Sequence, residues 1–268
     1  MSKKLLCLAA AVVLAAGLAG QAEAGSRPSE NPVLPIEQVS DFADQVQADL
    51  ARRGAHVAIV SRVGRDPAEL PDGIRYTHVG LWVYSDITMQ DGRSVRGYAV
   101  YNLYQRATNL DVSDLVQDYP ADFFAGAYAL DAGVIIPDPR LQAKLLAVIN
   151  SPTYEKLHNP RYSVIANPDN SAYQNCTEYT LDLLMAALYD TDDPGRIKAD
   201  IRAHFRPQTI EISPVKRLVG PLVMDGIAMD DQSGTIRTAT FTTIARFMAD
   251  YDLSEEAYRM TPVGVTPL

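Results

Sequence analysis

The sequence predicts a single α+β domain, on three observations. Strand-like runs rich in Val and Tyr gather in the first half, at 56–63, 75–84 and 94–104. Segments with helical apolar spacing dominate the second half, at 139–149, 176–189 and 239–250. No repeat, low-complexity run or linker interrupts 36–260, so the segregated elements share one core.

Taken in order, residues 1–24 read as a signal peptide. Lys3 and Lys4 precede an apolar stretch from Leu5 to Ala19, and Ala22-Glu23-Ala24 supplies a small-x-small cleavage site. Cys7 lies too early to be a lipoprotein cysteine. Residues 25–35 form a polar, Pro-containing linker, and 36–268 form the domain. The expected location is the periplasm or the exterior, with no membrane insertion after cleavage near Ala24.

Val39, Phe42, Ala43, Val46 and Leu50 follow helical spacing, and Gly54 marks the stop. The run 56–63 is a strand and 64–73 a loop. Arg75–Tyr84 is the clearest strand; Gln90-Asp91-Gly92-Arg93 turns it into a second strand over 94–104. Val112–Ala127 reads as a helix broken at Pro120, and Gly133–Ile136 as a short apolar run. Asp138-Pro139 opens a helix carrying Leu141, Leu145, Leu146 and Ile149 on one face. Tyr162–Ile165 reads as a short strand and 167–171 as a loop. A long helix follows from Cys176 to about Tyr189, then a polar helix over 195–204. Beyond lie a strand at 209–212, an apolar stretch at 218–223, turns over 225–234 and a last helix over 239–250.

Composition narrows the function. The formal charge is -9. Removing Lys3, Lys4 and Glu23 leaves about -10, which excludes nucleic acid as the main partner and suits anionic lipid poorly. With the leader gone, Cys176 is the only cysteine, in an oxidising compartment where no second thiol in the chain pairs with it. Asn175 suits an N-cap, and Glu178 three residues on completes a capping-box pattern. Cys176 therefore enters the first turn of a helix, where free backbone N–H groups and the helix dipole favour a thiolate. The competing reading is a small buried hydrophobe. Asn175-Cys176-Thr177 also spells a glycosylation sequon, which a helix start suits badly.

A nucleophile of this kind needs a base. His158 and His204 lie in polar surroundings and His56 starts a strand. His78 lies inside Tyr76-Thr77-His78-Val79-Gly80-Leu81-Trp82-Val83-Tyr84, where alternation groups Tyr76, His78, Gly80, Trp82 and Tyr84 on one face. Gly80 leaves room beside the imidazole. Asn102 is the small hydrogen-bonding side chain within the next strand and is the candidate to orient that ring. The histidines and the cysteine show no metal-ligand spacing, so neither metal nor cofactor is expected.

A strand with His78-Val79-Gly80, followed far downstream by Asn175-Cys176-x-x-aromatic at a helix start, resembles the circularly permuted papain-like cysteine hydrolases. These are the permuted branch of the NlpC-type superfamily, which includes the lecithin–retinol acyltransferase-like proteins. His78 precedes Cys176 by 98 residues (176 − 78), as the permuted order requires. Within the branch the chain is most similar to a secreted bacterial family known as domain of unknown function 2145. The motif-bearing parts cover about 55–105 and 160–190.

The resemblance implies a small antiparallel sheet carrying His78 as base, packed on a helix carrying Cys176 as nucleophile. The third position falls on Tyr101-Asn102, where many relatives have a second histidine. The implied activity is hydrolysis or acyl transfer on an amide or ester. The implied substrates are peptidoglycan stem peptides, lipid esters or protein acyl groups. Backbone N–H groups at the helix start, with Gln174 or Tyr173, are the candidate oxyanion donors, and Trp82 with Tyr76, Tyr84 and Tyr104 the candidate cleft lining. The alternative is a non-catalytic exported binding or envelope-assembly protein that keeps the fold.

Overall fold

A seven-stranded antiparallel sheet separates two apolar layers in the computed structural model, which describes residues 33–88, 92–211 and 226–268. Its strands are β1 (Val57–Val63), β2 (His78–Thr88), β3 (Ser94–Arg106), β4 (Asn109–Asp118), β5 (Ala129–Pro137), β8 (Ser254–Thr261) and β9 (Gly264–Pro267). They lie in the order β4-β3-β2-β1-β5-β8-β9. A two-stranded ribbon, β6 (Gln208–Ile210) with β7 (Ile236–Thr238), stands apart from the sheet. The helices are α1 (Ile36–Arg52), α2 (Pro120–Ala125), α3 (Pro139–Ile149), α4 (Thr153–Lys156), α5 (Cys176–Tyr189), α6 (Pro194–His204) and α7 (Phe241–Asp250). The α+β class is as expected.

The central strands are apolar on both faces because helices cover both. On one face Ala58, Val60, Trp82, Val100 and Val134 pack under α1 and α2. On the other Val57, Ile59, Leu81, Val83 and Ile135 pack under α3, α5 and α7. Alternation along each strand sorts these sets. The helix starts follow the local chemistry. Asp138 accepts from the N–H groups of Arg140 and Leu141 ahead of α3, and Asp193 caps α6 in the same way. Gly54 ends the first helical unit at φ +70°, a conformation glycine adopts without strain.

Several elements differ from expectation. Residues 109–118 form an edge strand instead of the first half of a helix. Val112, Leu115 and Val116 sit at helix-like spacing, but pairing with β3 from Val100↔Asp118 to Gln105↔Ser113 decides the conformation. Only Pro120–Ala125 is helical there. Gly133–Ile136 belongs to a central strand between β1 and β8. Tyr162–Ile165 makes a single parallel bridge, Tyr162↔Gln174, and no strand. The C-terminal hairpin β8–β9 was not expected, although Tyr258 and Met260 alternate with Arg259 and turn inward. Tyr258 then donates to Asp49 of α1 at 2.6 Å, fastening the chain end to the first helix. The turn residues Gln90 and Asp91 and the apolar stretch 218–223 lie outside the described residues, as does the signal-peptide reading of 1–24. Among the described residues no helix is long and apolar enough to cross a membrane.

Candidate active site

Helix α5 is buried around nearly its whole circumference, from Cys176 to Ala187. The Asn175 side-chain oxygen accepts from the Glu178 N–H at 2.9 Å, the expected N-cap, and the Asn175 amide donates to the Val164 carbonyl at 2.9 Å. The capping box is half made. Glu178 does not return to the Asn175 backbone; its carboxylate takes Lys198 Nζ of α6 at 2.7 Å. Lys198 also reaches both oxygens of Asp182, at 2.6 and 2.9 Å. One ammonium thus faces two buried carboxylates. Burial, working against Lys198, pushes Glu178 up to about 8, and its Oε2 has no hydrogen-bond partner among the described residues. This cluster locks α5 to α6 one turn below the cysteine.

Cys176 lines a cleft of about 140 Å³ together with Tyr76, Thr77, Asn175 and Thr177. Ile210, Ile227 and Thr238 form another part of its wall, so residues after 205 help build the cleft. The walls are mainly aliphatic and aromatic, and among the described residues no carboxylate lines them. The thiol itself is buried, only 4% of the residue being exposed. Its sulfur lies near the backbone N–H groups of Val79 and Thr177, which favour the thiolate, and meets Thr177 Oγ1 at 3.9 Å. Burial outweighs these donors and the Arg62 charge, and pushes the thiol pKa up. The helix start therefore does not make a resting thiolate, contrary to the expectation drawn from the dipole.

The Val79 contact locates the sulfur. Ladder pairing between β2 and β3 runs from Thr88↔Ser94 to Leu81↔Tyr101 and stops there. The N–H of Val79, one alternation beyond Leu81, faces the opening between the strands and lies near the sulfur. The backbones of His78 and Asn102 border the same opening, but their side chains lie on the α1–α2 face with Phe123, whereas Cys176 belongs to the α5-side cluster. His78 Nε2 and Asn102 Oδ1 are 3.0 Å apart. The Asn102 amide nitrogen donates to Asp118 at 2.7 Å and lies 3.4 Å from the Val100 carbonyl. Its oxygen is therefore the end that faces the ring. Nε2 then carries the proton, and Nδ1 is the bare nitrogen of a neutral imidazole. That Nδ1 has no hydrogen-bond partner among the described residues.

Gly80 makes this arrangement fit. A Cβ there would lie 2.6 Å from Asn102 Oδ1 and 3.3 Å from Phe123. The missing side chain makes room for the Asn102 carbonyl, and through it for the imidazole contact. Tyr104 stacks on His78 with ring centres 4.7 Å apart and planes 14° from parallel, and Phe123 flanks the ring. His78 is fully buried; burial, then the Arg62 charge, holds its pKa well below the ordinary value. No hydrogen bond joins Cys176 to His78.

The remaining expected residues lie elsewhere. Both Gln174 amide hydrogens are engaged, by the Leu157 carbonyl at 3.1 Å and Asp182 at 2.8 Å, so none remains for an oxyanion. Tyr173 pairs with Arg161 at 3.1 Å and does not line the cleft. Trp82 is fully buried against Phe123 and Phe124 in the α1–α2 layer, and is core. Tyr76 does line the cleft, because the strand begins only at His78 and Tyr76 escapes the alternation that groups it with Trp82. Sequence reasoning missed Arg62 and Asp118. Arg62 is buried in β1 opposite His78, donates to the Phe123 carbonyl and lies over that ring at 5.3 Å. An arginine inside the apolar run 57–63 was the available signal for it.

No curated protein and no solved structure matches this chain. A family match extends over residues 49–248, which is 200 of the 268 (248 − 49 + 1), and takes in β2, β3 and the start of α5. The chain belongs to the family described as "Uncharacterized protein conserved in bacteria (DUF2145)".

Proposed function

We propose that this chain is an exported thiol hydrolase or acyl-transfer enzyme of permuted papain-like type, with Cys176 as nucleophile, His78 as base and Asn102 holding the ring. One observation carries the reading. A cleft-lining thiol lies near the backbone N–H of Val79, and the preceding strand residue, His78, has Nε2 held by Asn102 and an Nδ1 with no partner among the described residues. In the reaction Nδ1 takes the Sγ proton as sulfur attacks the carbonyl carbon of an amide or ester. The C–N or C–O bond breaks, and the leaving group takes the proton back from His78. Water or an acceptor alcohol or amine then attacks the thioester, again losing its proton to Nδ1, and Cys176 is released as the thiol. The proton transfer requires Sγ and Nδ1 to close to hydrogen-bond distance, roughly 2.6–3.5 Å, on substrate binding. The Cys176 backbone N–H at the α5 start is the candidate oxyanion donor, since the Glu178 N–H is taken by Asn175.

The mainly apolar cleft walls favour an acyl chain or apolar side chain next to the scissile bond; peptidoglycan peptides, lipid esters and acylated proteins are the substrates to compare. Export follows the Lys3–Ala24 leader, and N-terminal sequencing of the periplasmic product reads the cleavage point. Purified chain is incubated with p-nitrophenyl esters, lipid esters and peptidoglycan beside Cys176→Ala and His78→Gln. Turnover abolished by both changes supports the proposal, and turnover unaffected by Cys176→Ala refutes it. A second reading, a non-catalytic binding or assembly protein, is favoured by the burial of both Cys176 and His78 and by the lack of a hydrogen bond between them. It predicts that Cys176 resists iodoacetamide until the chain unfolds.

A further inference from the structure

We propose that Asp118 is a positioning residue of this site: it orients the Asn102 amide so that its carbonyl faces His78, which fixes the Nε2–H tautomer and leaves Nδ1 as the base. The inference rests on the Cys176–His78 reading above. An asparagine amide has two ends of nearly equal shape, so the orientation it takes is decided by its partners. Were the ends exchanged, Asn102 would present N–H groups to the ring. Nε2 would then have to be bare, and the proton would move to Nδ1, the nitrogen that must accept from sulfur.

Asp118 is the partner that decides. It ends β4 directly across the ladder from Val100, diagonal to Asn102. Its Oδ1 accepts from the Asn102 amide at 2.7 Å, and its Oδ2 accepts from the Tyr104 hydroxyl at 2.8 Å. The Val100 carbonyl at 3.4 Å is too long a contact to hold the amide alone. Through Tyr104, Asp118 also holds the aromatic face on which the imidazole lies. The buried Arg62 guanidinium supplies the opposing charge. Asp118 borders a surface groove with Arg106 and Asp122, and does not line the Cys176 cleft. It therefore acts on the site through Asn102.

The test uses the intact chain labelled with ¹⁵N-histidine, the ring nitrogens of His78 being read by long-range ¹H–¹⁵N correlation. Wild type is expected to show Nε2 protonated. Asp118→Ala, and Asp118→Val as a second variant suited to an edge strand, remove the acceptor. Both are expected to show a mixture of tautomers and at least a tenfold slower alkylation of Cys176. Asp118→Asn keeps an acceptor oxygen and is expected to restore the wild-type tautomer. A purely structural role would lower the melting temperature of all three variants without moving the tautomer. Protonated Nδ1 in wild type, or an unchanged tautomer in whichever acceptor-removing variant folds, overturns the proposal. If wild-type alkylation is indifferent to His78→Gln, the hydrolase reading falls instead, and the tautomer alone decides the role of Asp118.

Discussion

Replacing Gly80 with alanine probes the site through one atom. The new Cβ would stand 2.6 Å from Asn102 Oδ1, well inside contact distance, and 3.3 Å from both Phe123 and Val100. Phe123 and Val100 are fully buried and Asn102 nearly so, with sheet on one side and α2 on the other, so the cheapest relief is a shift of the Asn102 side chain. That shift breaks its 3.0 Å contact with His78 and strains the one with Asp118. Overpacking costs about 1–3 kcal/mol and a lost buried hydrogen bond about 1 kcal/mol more, for a total of roughly 2–4 kcal/mol. Urea unfolding followed by tryptophan fluorescence measures it, Trp82 being the chain's single tryptophan. Gly97→Ala is the control: it faces only Ile87 at 3.3 Å and Gln47 at 3.5 Å, and should cost under about 1 kcal/mol. Adding Asn102→Ala removes the opposing atom, so Gly80→Ala should cost about 1–2 kcal/mol less in that background. Gly80→Ala with a cost below about 0.5 kcal/mol, or the same cost with and without Asn102, refutes the reasoning.

Three further outcomes are expected. Asp118, pushed up to about 7 mainly by burial, favours its protonated form in the fold, so its stabilising contribution is full below about pH 4 and is lost as pH rises through 7. Asp118→Asn, which cannot ionise, should therefore gain on wild type by on the order of 2 kcal/mol between pH 4 and 8, and a flat difference across that range rules the linkage out. His78 is held neutral, so its effect has the opposite sign: wild type loses stability as pH falls through about 6.5, and denaturation of His78→Gln should show a shallower fall. Lys198→Met leaves Glu178 and Asp182 without a counter-charge and should cost about 3–5 kcal/mol at pH 7, most of it recovered when both carboxylates are also replaced by their amides. A cost of Lys198→Met below about 1 kcal/mol would show that protonation already relieves the pair.

Local chemistry made much of this protein legible in its sequence. The helix from Cys176 to Tyr189, its Asn175 cap, the Asp138-Pro139 start of α3 and the His78 and Asn102 strands all follow from short-range rules, because their signals lie within a few residues. The His78–Asn102 contact was also foreseeable, since a buried Asn beside a buried His needs a partner and Gly80 leaves space. The strand at 109–118 was not, because pairing with β3 outweighs helix-like spacing on an edge. Nor was the fate of Glu178 and Gln174, since Lys198 reaches Glu178 from α6 and Asp182 reaches Gln174 from farther along α5.

The thiol shows where the division lies. The sequence alone determined that one cysteine stands in the first turn of a capped helix, and that a histidine strand and an asparagine strand precede it. Tertiary structure alone decided its ionisation and its surroundings. The sheet parts beyond Leu81, α5 packs against β2 and β3, and the sulfur is buried near the N–H of Val79. Desolvation then outweighs the local donors that favour a thiolate, because the energy of a buried charge depends on everything packed around it.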